Sequence, residues 1–208
     1  MIRRWGLRLA AVLAAALLVS TAIRVFWIDV YVVNQDSMDP TLHHGERVAV
    51  DKQYPGQDGP QSGDVIIFDG EGSFTPYQGQ RSPLSRLGQQ MAHWISIGAP
   101  PQVFVKRVIG VGGDTVACCT DDGQLTLNGE PLEEPYLAPH ELASELPFEA
   151  EVPEGRMWVL GDNRSESVDS RALLGAPGGG MISEDRIIGQ VTDVVWPLSE
   201  RRSLEESL

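Results

Sequence analysis

Basic residues are in short supply: 16 lysines and arginines face 29 aspartates and glutamates in 208 residues, a formal charge of -13. That balance excludes a broad cationic surface, so nucleic acid is not an expected partner. Cysteine is scarcer still, and the two present, Cys118 and Cys119, are adjacent. Neighbouring cysteines cannot staple distant loops of one chain or form a spaced metal site, so two ordinary thiols are expected, with a vicinal disulfide or an intermolecular bridge as alternatives. No metal and no organic cofactor is expected. His43, His44, His93 and His140 are the only histidines, and none lies in a recognisable catalytic box. The length leaves room for one anchor and one compact catalytic unit, which excludes a large multidomain machine.

What is present begins with a long apolar run. Arg3, Arg4 and Arg8 precede Leu9–Ile23, and Arg24 interrupts the run before Val25–Ile28. Trp5–Ile28 is long enough to cross a bilayer if Arg8 and Arg24 snorkel toward opposite interfaces. The arginine cluster should stay cytoplasmic, which sends the chain from Asp29 onward to the outer face, beside membrane lipid. A cleaved secretory signal shares these ingredients, including the small residues Ala14, Ala15 and Ala16. Against cleavage, the apolar character continues through Phe26, Trp27 and Ile28 and resumes at Val30–Val33 after Asp29 alone. The segment therefore reads as a retained single anchor.

Past the anchor, short Val- and Ile-rich runs bounded by Gly, Pro, Asp and Asn give the punctuation of β structure, with no sustained helical periodicity. Strands are expected at Tyr31–Val33, Arg47–Asp51, Asp64–Phe68, Val103–Val111, Gln124–Leu127, Met157–Leu160 and Ile187–Trp196. Asn128-Gly129 predicts a tight hairpin turn, because that dipeptide accepts positive φ angles. The expected fold class is mostly β: an antiparallel catalytic core with a small inserted β-subdomain, preceded by one N-terminal transmembrane helix. Its segments are residues 1–28 (cytoplasmic N-terminus and anchor), 29–117 (first part of the core), 118–155 (accessory subdomain), 156–198 (second part of the core) and 199–208 (polar, disordered tail). Residues 71–101, polar and rich in Gly, Pro and Gln, are expected to form a flexible insertion.

Three places could carry chemistry. Ser37 lies just past an apolar strand, on a turn that Pro40 stiffens, yet a serine there is ordinarily only a turn residue. It needs a base. Lys106 sits within Val103–Val111, on the face shared by Phe104 and Val108, and one of the successive pair Lys106 and Arg107 must face inward if one face is buried. An inward lysine loses charge to desolvation. To be largely neutral near pH 7 or 8 its pKa must fall by about 3 units, at a cost of roughly 4 kcal/mol, which suggests function; the alternative is an exposed edge lysine that discourages aggregation. The third place is Gly161–Arg171, where Ser167 could hold a neutral lysine and Asp169 with Arg171 could stiffen the turn.

Ser37-Met38-Asp39-Pro40-Thr41-Leu42 resembles the nucleophile box of the type I signal peptidases, and Lys106–Asp114 resembles their lysine box. Gly161–Arg171 is similar to their Gly-Asp-Asn-Arg box, and Ile188-Gly189 with Trp196-Pro197 resembles their closing strand. With Arg24 near the outer end of one span, the chain looks most like the single-anchor, Gram-positive type. The resemblance implies a serine endopeptidase with a Ser-Lys dyad that removes signal peptides from secretory preproteins at the outer membrane surface. Carried over, Ser37 is the nucleophile, Lys106 the general base and Ser167 the group that orients the amine. Asp169 and Arg171 form a supporting pair, Gly161 leaves room beside the site, and the Ser37 N–H donates to the oxyanion.

Two departures stand out. Gly112-Gly113-Asp114 replaces a Pro-Gly-Asp turn, and Gln35 occupies the position where some relatives carry a hydroxyl as second oxyanion donor. Met38, Leu42 and Val105 are candidate walls of the substrate pockets, with core packing as the alternative. Three rivals are weighed: a Ser-His-Asp triad; a Ser-Lys self-cleaving repressor, which would need a DNA-binding helix pair; and a silent membrane-tethered peptide binder, which has no reason to bury a neutral lysine.

Overall fold

In a computed structural model, residues 2–57, 59–75, 102–176 and 178–204 are described. Helix α1 spans Ile2–Phe26. Its portion Arg8–Phe26 has 19 residues, a mean hydropathy of 2.2 and no buried residue. At 1.5 Å per residue that portion is about 28 Å long, close to the ~30 Å hydrocarbon core of a bilayer. Trp27 alone separates α1 from strand β1, Ile28–Val32.

The rest is antiparallel β structure. Strands β2 (Arg47–Asp51), β3 (Val65–Asp69), β4 (Val103–Val111), β9 (Arg156–Leu160), β10 (Ile182–Ser183) and β11 (Ile187–Trp196) join β1 in the order β1-β2-β11-β3-β4-β9-β10, and β12 (Arg202–Ser203) adds to β11. In β3, Val65 and Ile67 pack with Val48, Val50 and Val191, whereas Ile66 and Phe68 pack with Val108 and Val159 on the other face. Both faces of this strand are covered. That is why it reads as a continuous apolar run and not as an alternation.

The second sheet has the order β7-β6-β5-β8, built from β5 (Thr115–Cys118), β6 (Leu125–Leu127), β7 (Glu130–Pro131) and β8 (Phe148–Glu151). It starts at Thr115, ahead of the boundary expected at 118. Asn128 and Gly129 turn the hairpin with φ of 57° and 86°, the left-handed pair that the dipeptide predicts. Val116, Leu125 and Ala150 pack on Trp158 and Leu160 of the main sheet, which fastens the subdomain to the core.

Two expectations change, and a third falls mostly outside the described residues. The tail is not disordered over 199–204: β12 pairs with β11, and Leu204 is buried with the first core cluster. An apolar side chain with a groove to fill overrides the polar composition around it. Cys118 and Cys119 are not two thiols but a vicinal disulfide, their Cα atoms brought to 3.0 Å. Of the proposed insertion, only 71–75 is described, as a turn whose Phe74 ring lies 5.3 Å from those of Phe68 and Phe104; its remainder lies outside the described residues.

Candidate active site

β4 carries two buried cations in succession, Lys106 with 1% and Arg107 with 2% of its surface exposed. Adjacent strand residues point to opposite faces, and both are buried because both faces of the sheet are covered; Lys106 is thus an inward lysine and not an exposed edge residue. Arg107 is neutralised: its Nε and Nη2 donate to Asp162 Oδ1 and Oδ2 at 2.9 and 2.7 Å, and the guanidinium lies 3.8 Å over the Tyr136 ring. Among the described residues, Lys106 has no such carboxylate. Its Nζ lies 2.6 Å from Ser37 Oγ, a buried hydrogen bond.

Burial pushes the Lys106 ammonium down to about 8; the charges of Asp169 and Asp162 oppose this, and that of Arg171 adds to it. Desolvation wins because the nearest carboxylates are already engaged with Arg171 and Arg107. An amine near 8 is partly deprotonated, and so available as a base, at neutral to mildly alkaline pH.

Ser37 is set by its neighbours. The turn after β1 is pinned by Met38 and Leu42, both fully buried in the first core cluster, and Asn163 binds it from the other side, donating its N–H to Ser37 O at 3.2 Å and its side-chain amide to Asp36 O at 3.0 Å. Thr41 Oγ1 donates to Asp162 Oδ2 at 2.5 Å, which links the nucleophile turn to the Arg107 pair. Arg202 completes the turn's support: its guanidinium bonds both Glu46 carboxylate oxygens at 2.8 and 3.0 Å and Thr41 O at 2.7 Å. Burial pushes the Glu46 carboxyl up, but hydrogen bonds from Arg202 and the His43 N–H, with their charges, outweigh it and hold the group below its usual value.

Gly161 ends β9 against this turn. A Cβ there would meet Ser167 Oγ at 2.2 Å and Ser37 O at 2.3 Å, so only glycine fits. Asp169 accepts from the Gly161 N–H at 3.1 Å and is held by Arg171 Nε and Nη2 at 2.9 and 2.8 Å. Ser167 departs from expectation. Its Oγ is buried yet has no hydrogen-bond partner, because it is pressed over Gly161 and makes no bond to the Lys106 amine.

Two cavities flank the dyad. The first, about 160 Å³, is lined by Val32, Val33, Asn34 and Gln35 on one side and Val103, Phe104 and Val105 on the other. Of the three pocket residues expected, Val105 lines it, whereas Met38 and Leu42 do not and are core. β9 pairs with β4 only from Arg107 onward, while β3 covers the other edge of Val103–Val105. Among the described residues, the edge of β4 leading to Lys106 is therefore unpaired. Gln35 is exposed at the mouth of this cavity. His43 pairs with Asp39 at 2.7 Å with both side chains about half exposed, and among the described residues no histidine hydrogen-bonds Ser37. The sequence did not single out Tyr136, Glu46 or Arg202, which no local motif marks.

A lysine buried against a serine hydroxyl, beside an open strand edge, is the constellation of a serine hydrolase of peptides. The chain belongs to the signal peptidase family, peptidase S26, whose family model matches residues 2–196. Among curated proteins it is 39% identical over 199 residues to a probable signal peptidase I of Mycobacterium leprae, covering 81% of this chain and 68% of the relative. It is 38% identical over 221 residues to signal peptidase I of Mycobacterium tuberculosis, covering 95% and 75%. Signal peptidase I T of Bacillus subtilis is 34% identical over 208 residues, covering 95% and 87%. The crystal structure of a signal peptidase I from Enterococcus faecalis matches 64% of this chain and 97% of its own at 28% identity and a TM-score of 0.42. The chain is thus a serine peptidase that removes signal peptides from secretory preproteins.

Proposed function

We propose that Ser37 and Lys106 perform this hydrolysis. The buried 2.6 Å contact between Ser37 Oγ and Lys106 Nζ carries the assignment. Neutral Lys106 takes the hydroxyl proton as Ser37 Oγ attacks the carbonyl carbon, and the resulting ammonium returns that proton to the leaving amine as the peptide bond breaks. Water then attacks the acyl-enzyme ester, giving a proton to Lys106, which passes it to Ser37 Oγ as the ester bond breaks, so that the signal peptide leaves as a carboxylic acid and Ser37 and neutral Lys106 are regenerated. The Ser37 N–H, with the Gln35 amide as second donor, faces the developing oxyanion. Gly161, Asp169 and Arg171 hold the segment against which Ser37 sits, and Ser167 orients the amine once substrate displaces it from its resting position.

The substrate adds as a strand along the open edge of Val103–Val105, gaining main-chain hydrogen bonds. The first cavity, at about 160 Å³, is smaller than usual ligand pockets, which suits the small residues before the cut. The enzyme is anchored by α1 with its N-terminus cytoplasmic, as the arginines at its start favour, and the catalytic unit lies outside, against membrane lipid.

The test uses purified protein in detergent and a preprotein carrying Ala-x-Ala before the cut. Ser37→Ala and Lys106→Ala should each lower kcat/KM at least about 1,000-fold with the fold retained by circular dichroism. Full activity in Lys106→Ala would sink the dyad, and no cleavage even by the unaltered protein would leave a peptide binder.

A further inference from the structure

The second cavity lies on the other flank of the dyad and has no role in the reading above. It has a volume of about 280 Å³ and is framed by the accessory segment Ser144–Phe148 and by the site segment from Arg164 to Leu174. Three observations tie it to the reaction. Ser167, Asp169 and Arg171 line it, and the charges of the last two act on the Lys106 amine. Ser167 Oγ, on its wall, is buried without a hydrogen-bond partner. That hydroxyl and the Ser37 carbonyl oxygen crowd the same point over Gly161, so the wall of the cavity adjoins the backbone of the nucleophile.

An extended peptide has two halves about the bond that breaks. The first cavity, beside the unpaired edge of β4, takes the half before it. The half after it must leave past the amine that protonates it, toward Asp169 and Arg171. We propose that the second cavity is the subsite for the first residues of the mature protein and takes an apolar side chain there; this rests on the dyad assignment above.

The lining supports an apolar occupant. Its buried charges are spoken for, Arg164 by Glu134 and Arg171 by Asp169, so no free cation waits for an acidic residue. Leu146 and Leu174 line it and stand exposed, at 73% and 43%, and Pro147 and Phe148 add to its apolar lining. Exposed Glu145 disfavours an anion. Once substrate displaces it, Ser167 Oγ would accept from the Lys106 amine and donate its own proton to a peptide carbonyl of the departing strand, which would end its isolation.

The experiment measures kcat/KM for full-length enzyme in detergent on preprotein peptides that differ only at the first, second or third residue after the cut, carrying Ala, Leu or Asp. A chromogenic ester of the same signal segment, with nothing beyond the cut, is the control. Leu should exceed Asp by about 10-fold or more at one of these positions, the range one apolar contact supports. Leu146→Asp and Leu174→Asp should shrink that ratio to within about 3-fold while ester hydrolysis stays unchanged. Indifference of the unaltered enzyme at all three positions, an undiminished ratio in both variants, or an equal loss on the ester would each overturn the subsite. Ester hydrolysis by Ser37→Ala at the unaltered rate would instead refute the dyad, so the two failures are distinguishable.

Discussion

An amine that titrates near 8 makes activity and stability move with pH in linked ways. The kcat/KM of the enzyme should rise with a midpoint near pH 8, where Lys106 loses its proton. Stability follows from the same shift. A free lysine titrates at about 10.4, so between the two values the unfolded chain binds more protons than the folded one, and stability increases as pH rises through that window. Below pH 8 the full penalty, about 3 kcal/mol for a shift of this size, is carried by the folded protein. Lys106→Met should therefore be inactive but more stable at pH 7 by up to about 3 kcal/mol in urea unfolding, an advantage that fades by pH 10. A less stable Lys106→Met at pH 7 would show that the amine is satisfied and not strained. Beside it, Gly161→Ala should keep the fold but lose about 100-fold in kcat/KM, because the new methyl can be admitted only by moving both Ser167 and the Ser37 carbonyl.

At the scale of elements, the short C-terminal strand supports the nucleophile turn from outside the matched family region, which ends at residue 196. Arg202→Ala leaves the buried Glu46 carboxylate unpaired and frees Thr41 O. Its expected outcome is a loss of about 3 kcal/mol in urea unfolding and roughly 10-fold in kcat with little change in KM; an unchanged kcat would make the clamp purely structural. The sequence made some elements plain and hid others. Arg47–Asp51, Val103–Val111 and Ile187–Trp196 are long or apolar enough that burial dictates them, and the observed bounds coincide. β8 is absent from the expected strands, since its acidic residues face water and only Ala150 and the Phe148 ring, 5.4 Å from Trp158, record its packing. Site residues with a local motif, Ser37, Lys106 and the Gly161–Arg171 segment, were legible. Arg107 was not, because Asp162, the residue that lets it be buried, is a partner chosen only by the tertiary fold.

For the whole molecule, the helix and the β unit divide the work of search and chemistry. Removing residues 2–26 should leave kcat/KM on a short soluble peptide within about 3-fold, because no α1 residue enters the site, yet lower the rate on a preprotein embedded in vesicles by about 100-fold, the gain expected from confining both partners to one surface. Equal losses on both substrates would mean that α1 also supports the fold. The junction at Trp27 adds a metric consequence. Since α1 passes into β1 with one residue between them, and β1 is only about 17 Å long, the anchoring proposed above would tether the reaction centre within a short reach of the end of the helix. With that anchoring the enzyme would act as a ruler: a preprotein whose own apolar helix ends at the same level would have to supply a matching length of extended chain to reach Ser37, so the place of the cut would be measured from the membrane as well as read from the small residues beside it.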